Sequence, residues 1–274
     1  MKKLQITDFR VQQAVELYKS GKAIKPICQE LKMDGEALRN VLISLEELRT
    51  RSEAVRGGKS DATINDDALK ELTPDALYWI GFLYADGHIE KGRNRVTLTL
   101  SAPDKNHLHK CGDFFGKGLV IRQVSGKVLK SNGYVSDDAY RVGFSSVHVY
   151  KKLEELGFTH NKTYTINSPH PDLVGSRDFW RGVIDGDGWV STKVWTVGVC
   201  GAKTTIEAFS DFIKSGGIET KTSARLSSKR STHLYSMELH HHKAVQVLNL
   251  LYKDAPVYLD RKYQKYLEIM AAQK

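Results

Sequence analysis

Two stretches of this chain, 101 residues apart, repeat one local design: an apolar helix that stops at Asp-Gly. The first reads Tyr78-Trp79-Ile80-Gly81-Phe82-Leu83-Tyr84-Ala85-Asp86-Gly87. The second reads Phe179-Trp180-Arg181-Gly182-Val183-Ile184-Asp185-Gly186-Asp187-Gly188. The pattern predicts helices over 75–87 and 177–188, each leading into an alternating strand. Val96, Leu98 and Leu100 alternate with Arg95, Thr97 and Thr99; Trp195, Val197 and Val199 alternate with Thr196 and Gly198. Period-two alternation marks a strand with one face in the core and the other open to solvent or a ligand. Further helices fit 104–115 and 204–215, then 147–156 and 241–252. Each half reads helix–strand–strand–helix–strand–strand–helix, and two such halves in one chain predict pseudo-twofold symmetry.

The small residues and the acids of the repeat carry physical information. Gly81 and Ala85 lie four apart, as do Gly182 and Gly186, so each helix presents a smooth stripe that lets a second helix approach closely. The C-terminal ends, with Asp86 and Asp187, then come together. A carboxylate in the last helical turn opposes the helix dipole at about 0.3–1 kcal/mol, and two side by side repel. The same local defect at the same point of a repeat indicates that the charges are wanted, and hard divalent cations take such oxygen ligands. Gly87 and Gly188 follow at the position that favours a left-handed cap, so each helix is expected to end in that conformation.

Both copies resemble the motif of the LAGLIDADG endonucleases, and the resemblance spans roughly residues 73–265. It implies an α+β fold of two pseudo-symmetric repeats with antiparallel, saddle-like sheets: repeat 1 over 73–160, repeat 2 over 161–274 with a C-terminal helix. It implies a site-specific double-stranded DNA endonuclease of homing type, intron or phage encoded, a monomer acting as a pseudo-dimer. Asp86 and Asp187 would hold a divalent metal, Mg²⁺, at the repeat junction. Metal-assisted phosphodiester hydrolysis activates water and stabilises the attacking and leaving oxygens, while basic side chains offset charge on the phosphate. His148, Lys243 and Lys162 are the candidates for that role. The family's earlier acidic position is Tyr84 in the first copy and Asp185 in the second.

Residues 1–50 read as an all-α unit. Phe9, Val11, Ala14, Val15, Leu17 and Tyr18 mark a helix that stops near Gly21; further helices fit 26–32 and 36–48. Ile27 to Leu42 resembles a helix-turn-helix, with Ile27, Leu31, Met33, Leu38 and Val41 as buried positions, Cys28 as the small residue, and Lys32 where the family usually has glycine. Asp34, Glu36, Arg39 and Asn40 would then face a DNA major groove. Residues 51–72 are polar and read as a linker. Their Gly57-Gly58-Lys59-Ser60 is not a phosphate-binding loop, because Glu53 stands where that motif needs its earlier glycine.

The charge fits a polyanionic partner: 41 Lys+Arg against 32 Asp+Glu, a formal +9. Two acid-free basic stretches fall at equivalent places in the halves. One holds Lys117, Arg122, Lys127 and Lys130, the other Lys221, Arg225, Lys229 and Arg230. With Arg93, Arg95, Thr97 and Thr99 they line an expected DNA groove, where strands read base edges and phosphate contacts set register. His240-His241-His242 is read as a helix start or a phosphate contact, since consecutive residues do not converge on one ion. The tail from Tyr258 to Tyr263 reads as an amphipathic closing helix on the sheet's outer layer. Three scattered cysteines, Cys28, Cys111 and Cys200, and the lack of an apolar leader fit a reducing, cytoplasmic setting without membrane contact. Two other functions use the same features: a non-cutting DNA-binding regulator and an intron RNA maturase. A complete intein is disfavoured, because Met1 and Ala272-Gln273-Lys274 lack the nucleophile and the His-Asn ending of self-splicing.

Overall fold

The computed structural model describes residues 8–20, 22–45, 47–48, 62–125, 128–129, 135–136, 138–159, 168–227 and 234–273. Lys127, Lys130, Lys162, Lys229, Arg230 and residues 51–61 of the expected linker lie outside them. The chain forms two compact units, one up to Thr63 and one from Ile64.

Among its described residues, the first unit has three short helices, Phe9–Lys19, Ile24–Leu31 and Gly35–Ser44. Ala14, Tyr18, Ile27, Leu38 and Leu42 form its core, with Cys28, Leu31 and Met33 packed against it. The turn between the second and third helices passes through Lys32, at φ 47° and ψ 52°. That left-handed conformation explains a preference for glycine there, since a side chain crowds the following carbonyl. Asp34 is the cap of the third helix, its carboxylate accepting from Ala37 N at 2.8 Å. Glu36, Arg39 and Asn40 are exposed on that helix. The helix ends at Ser44, four residues before the expected Leu48.

In the second unit, the first motif helix is Pro74–Asp86. Thr73 caps it by accepting from Ala76 N, and Pro74 fits its first turn. The second is Arg177–Asp187, capped by Ser176, whose hydroxyl accepts from Asp178 N and Phe179 N. Each helix runs straight into a four-stranded antiparallel sheet. Repeat 1 orders its strands Gly87–Glu90, Arg95–Ser101, Ala139–Ser145, Arg122–Ser125. Repeat 2 orders them Gly188–Ser191, Thr196–Gly201, Tyr235–His240, Arg225–Leu226, the same topology. Helices Lys105–Phe115 and Val147–Glu155 complete the first repeat; Lys203–Ser215 and His241–Tyr252 complete the second. A closing helix, Asp260–Ala271, follows. One core runs through both repeats and includes Trp79, Phe82, Val96, Trp180, Val197 and Leu248. Leu69, within the expected linker span, is buried in it.

Three local expectations change. Gly87 and Gly188 are extended, at φ −72° and −99°, because each is the first residue of a strand. Glycine is needed there for space: a Cβ would lie 2.6 Å from Leu83 O at Gly87, and 2.5 Å from Ile184 O at Gly188. Strand Thr196–Gly201 does not alternate in burial as Arg95–Ser101 does. Trp195, at φ 39°, belongs to the preceding turn, and Thr196 to Val199 are all buried. The closing helix begins at Asp260 rather than Tyr258, and it packs on His241–Tyr252 and on strand Gly188–Ser191, where Lys265 Nζ donates to Val190 O at 2.9 Å. His240, first of the histidine triplet, is the N-cap of the helix that begins at His241.

Candidate metal centre at the repeat junction

The two motif helices touch through equivalent residues. A Cβ on Gly81 would lie 2.0 Å from Phe179 O; one on Gly182 would lie 2.1 Å from Tyr78 O. Residues 78 and 179 are the same position in the two copies, as are 81 and 182, so the contact is reciprocal in the way a twofold axis demands. Further along, a Cβ on Gly186 would be 2.3 Å from Ala85 Cβ and 3.5 Å from Asp86 Oδ2. The helices lie backbone against backbone at Gly81 and Gly182, and nearer their C-terminal ends the Ala85 methyl fills the space over Gly186. Asp86 is exposed and Asp187 half-buried, the last helical residue of each copy. Each motif helix thus ends in a carboxylate at the negative end of its dipole, the type of oxygen donor that hard cations take. Among the described residues, no group of three or more His, Cys, Asp and Glu side chains is placed to hold a metal. A cation here would take these two carboxylates and complete its shell with water or phosphate oxygens, as Mg²⁺ commonly does.

Lys262 of the closing helix is buried beneath this site. Its Nζ donates to Ile184 O at 2.6 Å, Asp185 O at 2.8 Å and Gly188 O at 2.6 Å, capping the second motif helix. Burial lowers its pKa to about 8, against the raising pull of Asp185 and Asp86. Sequence reasoning missed this residue. The available signal was its spacing: Lys262 shares the buried stripe of Tyr266 and Ile269, at i, i+4 and i+7, where a charge is out of place.

The earlier acidic position ties the repeats together. Asp185 accepts from Tyr78 Oη at 2.8 Å, Tyr252 Oη at 2.6 Å and Leu259 N at 2.8 Å. Burial pushes its pKa up, while Lys262 and these donors pull it back. Tyr78 donates to Asp185 and therefore accepts from His107 Nε2 at 2.9 Å. Burial drives the His107 pKa down to about 3, so this imidazole stays neutral. Tyr84, the equivalent of Asp185, bonds to Thr205 Oγ1 of repeat 2 at 2.8 Å and meets the Phe179 ring edge-on. Both members of this pair reach into the other repeat, and burial raises the Tyr84 phenol to about 12. A second tie runs from repeat 1 to the closing helix. Arg261 Nε donates to both oxygens of Asp104, and Lys110 Nζ to Tyr258 O and Asp260 Oδ1.

Two of the expected basic residues, His148 and Lys243, are placed apart from the Asp pair. His148 is exposed and Lys243 half-buried, each in the first turn of a helix at the far end of its sheet. The preceding strand ends beside Arg95 in repeat 1 and Thr196 in repeat 2, three strand residues from Gly87 and Gly188, or about 10 Å. The sheet face opposite the core in repeat 1 carries Arg95, Thr97, Thr99 and Arg122 of the other candidates. Arg95, Arg122 and Arg141 are exposed there in repeat 1, Thr97 and Thr99 half-exposed, with Arg141 Nε bonded to Thr99 Oγ1 at 2.8 Å. Arg93 pairs with Glu90 in the adjoining turn. Lys117, Lys221 and Arg225 are exposed.

No protein-family model and no curated protein matches the chain. Among solved structures, the homing endonuclease I-WcaI, bound to its DNA recognition sequence, matches with a TM-score of 0.52 at 14% identity, over 81% of this chain and 96% of that one. I-SmaMI bound to uncleaved DNA with calcium ions matches at 0.47 and 13% identity, over 73% and 90%. An I-DmoI variant with nicked target DNA and manganese matches at 0.43 and 17% identity, over 65% and 95%. Among the described residues no helix is long and apolar enough to cross a membrane. With its paired motif helices and two equivalent sheets, this chain has the fold of the homing endonuclease I-WcaI.

Proposed function

We propose that this chain is a site-specific double-stranded DNA endonuclease that cleaves phosphodiester bonds with a divalent cation, Mg²⁺, held by Asp86 and Asp187. The observation that carries this reading is the meeting of equivalent helix ends, each finishing in a solvent-accessible carboxylate. Such an arrangement is unfavourable for stability alone and matches the needs of a cation beside a polyanion. A bound cation supplies Lewis acidity and lowers the pKa of water. Lys262 keeps the second carboxylate's helix end in place and adds positive charge beneath the site. His148, Lys243, Lys162, Lys117, Arg93, Arg95, Arg122, Lys127, Lys130, Lys221, Arg225, Lys229 and Arg230 serve as phosphate and base contacts, together with Thr97 and Thr99. The chain works as a monomer because it already contains both halves. The N-terminal unit, through Arg39 and Asn40, adds a further DNA contact that raises effective concentration at the target.

The test is cleavage of a diverse duplex library with Mg²⁺ by wild type, Asp86→Asn and Asp187→Asn, with binding followed in Ca²⁺. Cleavage at a defined long site by wild type, with binding but no cutting by both variants, is the expected result. Specific binding by wild type without cutting replaces this reading with a regulator. Failure to bind any duplex, with retention of intron RNA, replaces it with a maturase.

A further inference from the structure

The outer faces of the two sheets differ where the repeats are equivalent. In repeat 1, His88, Thr97 and Gly143 lie side by side across three strands. In repeat 2 the same three places hold Trp189, Gly198 and Glu238. The bare backbone of Gly198 makes room for the indole of Trp189, since a Cβ there would lie 2.2 Å from Cζ2 of that ring. So placed, Trp189 Nε1 donates to Glu238 Oε1 at 3.0 Å. His240 Nε2 faces Glu238 Oε2 at 3.7 Å, and His240 Nδ1 shares a hydrogen bond with Thr196 Oγ1 at 3.1 Å. The carboxylate is thus held by the indole N–H with His240 beside it, yet the Glu238 side chain remains 44% exposed.

A fixed anion on a face that meets DNA repels phosphate. That penalty is offset only where the carboxylate accepts a hydrogen bond from the partner. In the major groove the donors on base edges are the amino groups of cytosine N4 and adenine N6; guanine and thymine offer acceptors at the corresponding edge. A carboxylate therefore attracts the first class and rejects the second through acceptor facing acceptor, which combines attraction with exclusion. Repeat 1 has Gly143 at the equivalent place, with the guanidinium of Arg95 beside it, so the two halves do not present the same chemistry.

Building on the endonuclease reading, we propose that Glu238 is a specificity-determining residue that reads the exocyclic amino group of cytosine or adenine in one half-site. Trp189 and His240 are its positioning residues. Trp189 stands two residues past Asp187, and Glu238 two strands across from it, roughly 12 Å away by strand geometry. The base read lies within about four base pairs of the cut at 3.4 Å per pair.

The experiment selects duplexes from a randomised pool with the full chain in Ca²⁺, comparing wild type with Glu238→Ala, Glu238→Gln and Trp189→Phe. Thermal melts of each variant accompany the selection. Wild type is expected to specify cytosine or adenine at one position near the centre. Glu238→Ala relaxes that position alone by about 5- to 150-fold, the range of one direct base contact. Glu238→Gln moves the preference toward adenine, whose N6 and N7 suit an amide. Trp189→Phe keeps the ring but loses the N–H, and weakens discrimination without changing the preferred base. An unchanged profile for Glu238→Ala, or an even gain of affinity at all sequences, overturns the proposal while the endonuclease reading stands. If wild type selects no duplex at all, both fall together.

Discussion

Ala85 and Gly186 occupy the same place in the two motif helices and face each other beside the Asp pair, so exchanging them probes the pseudo-twofold contact directly. Gly186→Ala puts a methyl 2.3 Å from Ala85 Cβ, whereas carbon atoms prefer about 3.5–4.0 Å. The helices must part by more than about 1 Å at the site. Overpacking of this kind costs about 1–3 kcal/mol, offset by up to ~1 kcal/mol of helix propensity gained over glycine. Ala85→Gly alone removes a buried methyl and loses that propensity, together about 1–2 kcal/mol. In the exchanged pair the new methyl meets the Cα of residue 85 at 3.6 Å and Asp86 Oδ2 at 3.5 Å, both ordinary contacts. The single variants should sum to a loss that the double variant recovers, a coupling of about 1–4 kcal/mol between touching residues. Urea unfolding followed by fluorescence reads this well, because Trp79 and Trp180 are buried on the two helices. Effects that simply add, to within about 0.5 kcal/mol, would refute the helix contact described above.

Lys262→Met should alter the pH dependence of stability. The lysine titrates at about 8 in the fold against 10.5 when exposed. Below about pH 8 both states are charged and the burial penalty is in full. Between about 8 and 10.5 the unfolded chain binds the proton and the fold does not, so wild type gains on the variant by up to ~3 kcal/mol as pH rises; a constant difference in urea melts across that window contradicts the assignment. Asp185→Leu leaves the Tyr78 and Tyr252 hydroxyls and the Leu259 amide without their acceptor. It should cost about 3–5 kcal/mol in the same melts, and a loss below about 1 kcal/mol would show that the tie is unimportant. Lys32→Gly relieves a left-handed residue at about 1–2 kcal/mol, partly cancelled by greater freedom of the unfolded chain. Slower amide exchange in Ile24–Leu31 and Gly35–Ser44 is expected; faster exchange means the turn is not strained.

Periodicity alone determined much of this protein. The motif helices, the alternating strand from Arg95, the order of elements in each repeat and the Asp pair are written in residue spacings within single elements. The small-residue stripes also announced how closely the helices would approach. What depends on segments far apart in the chain was not legible there. The cap that Lys262 makes on Asp185 O, 77 residues earlier, exists only once the closing helix is docked. The cross-ties of Tyr84 and Asp185 require the two repeats to meet. The indole over Gly198 breaks an expected alternation because a neighbouring strand supplies the cover. Local spacing sets which face of an element is apolar, since that follows from the geometry of one helix or strand. Packing decides which polar groups are buried, paired and positioned for chemistry, since their partners come from other elements.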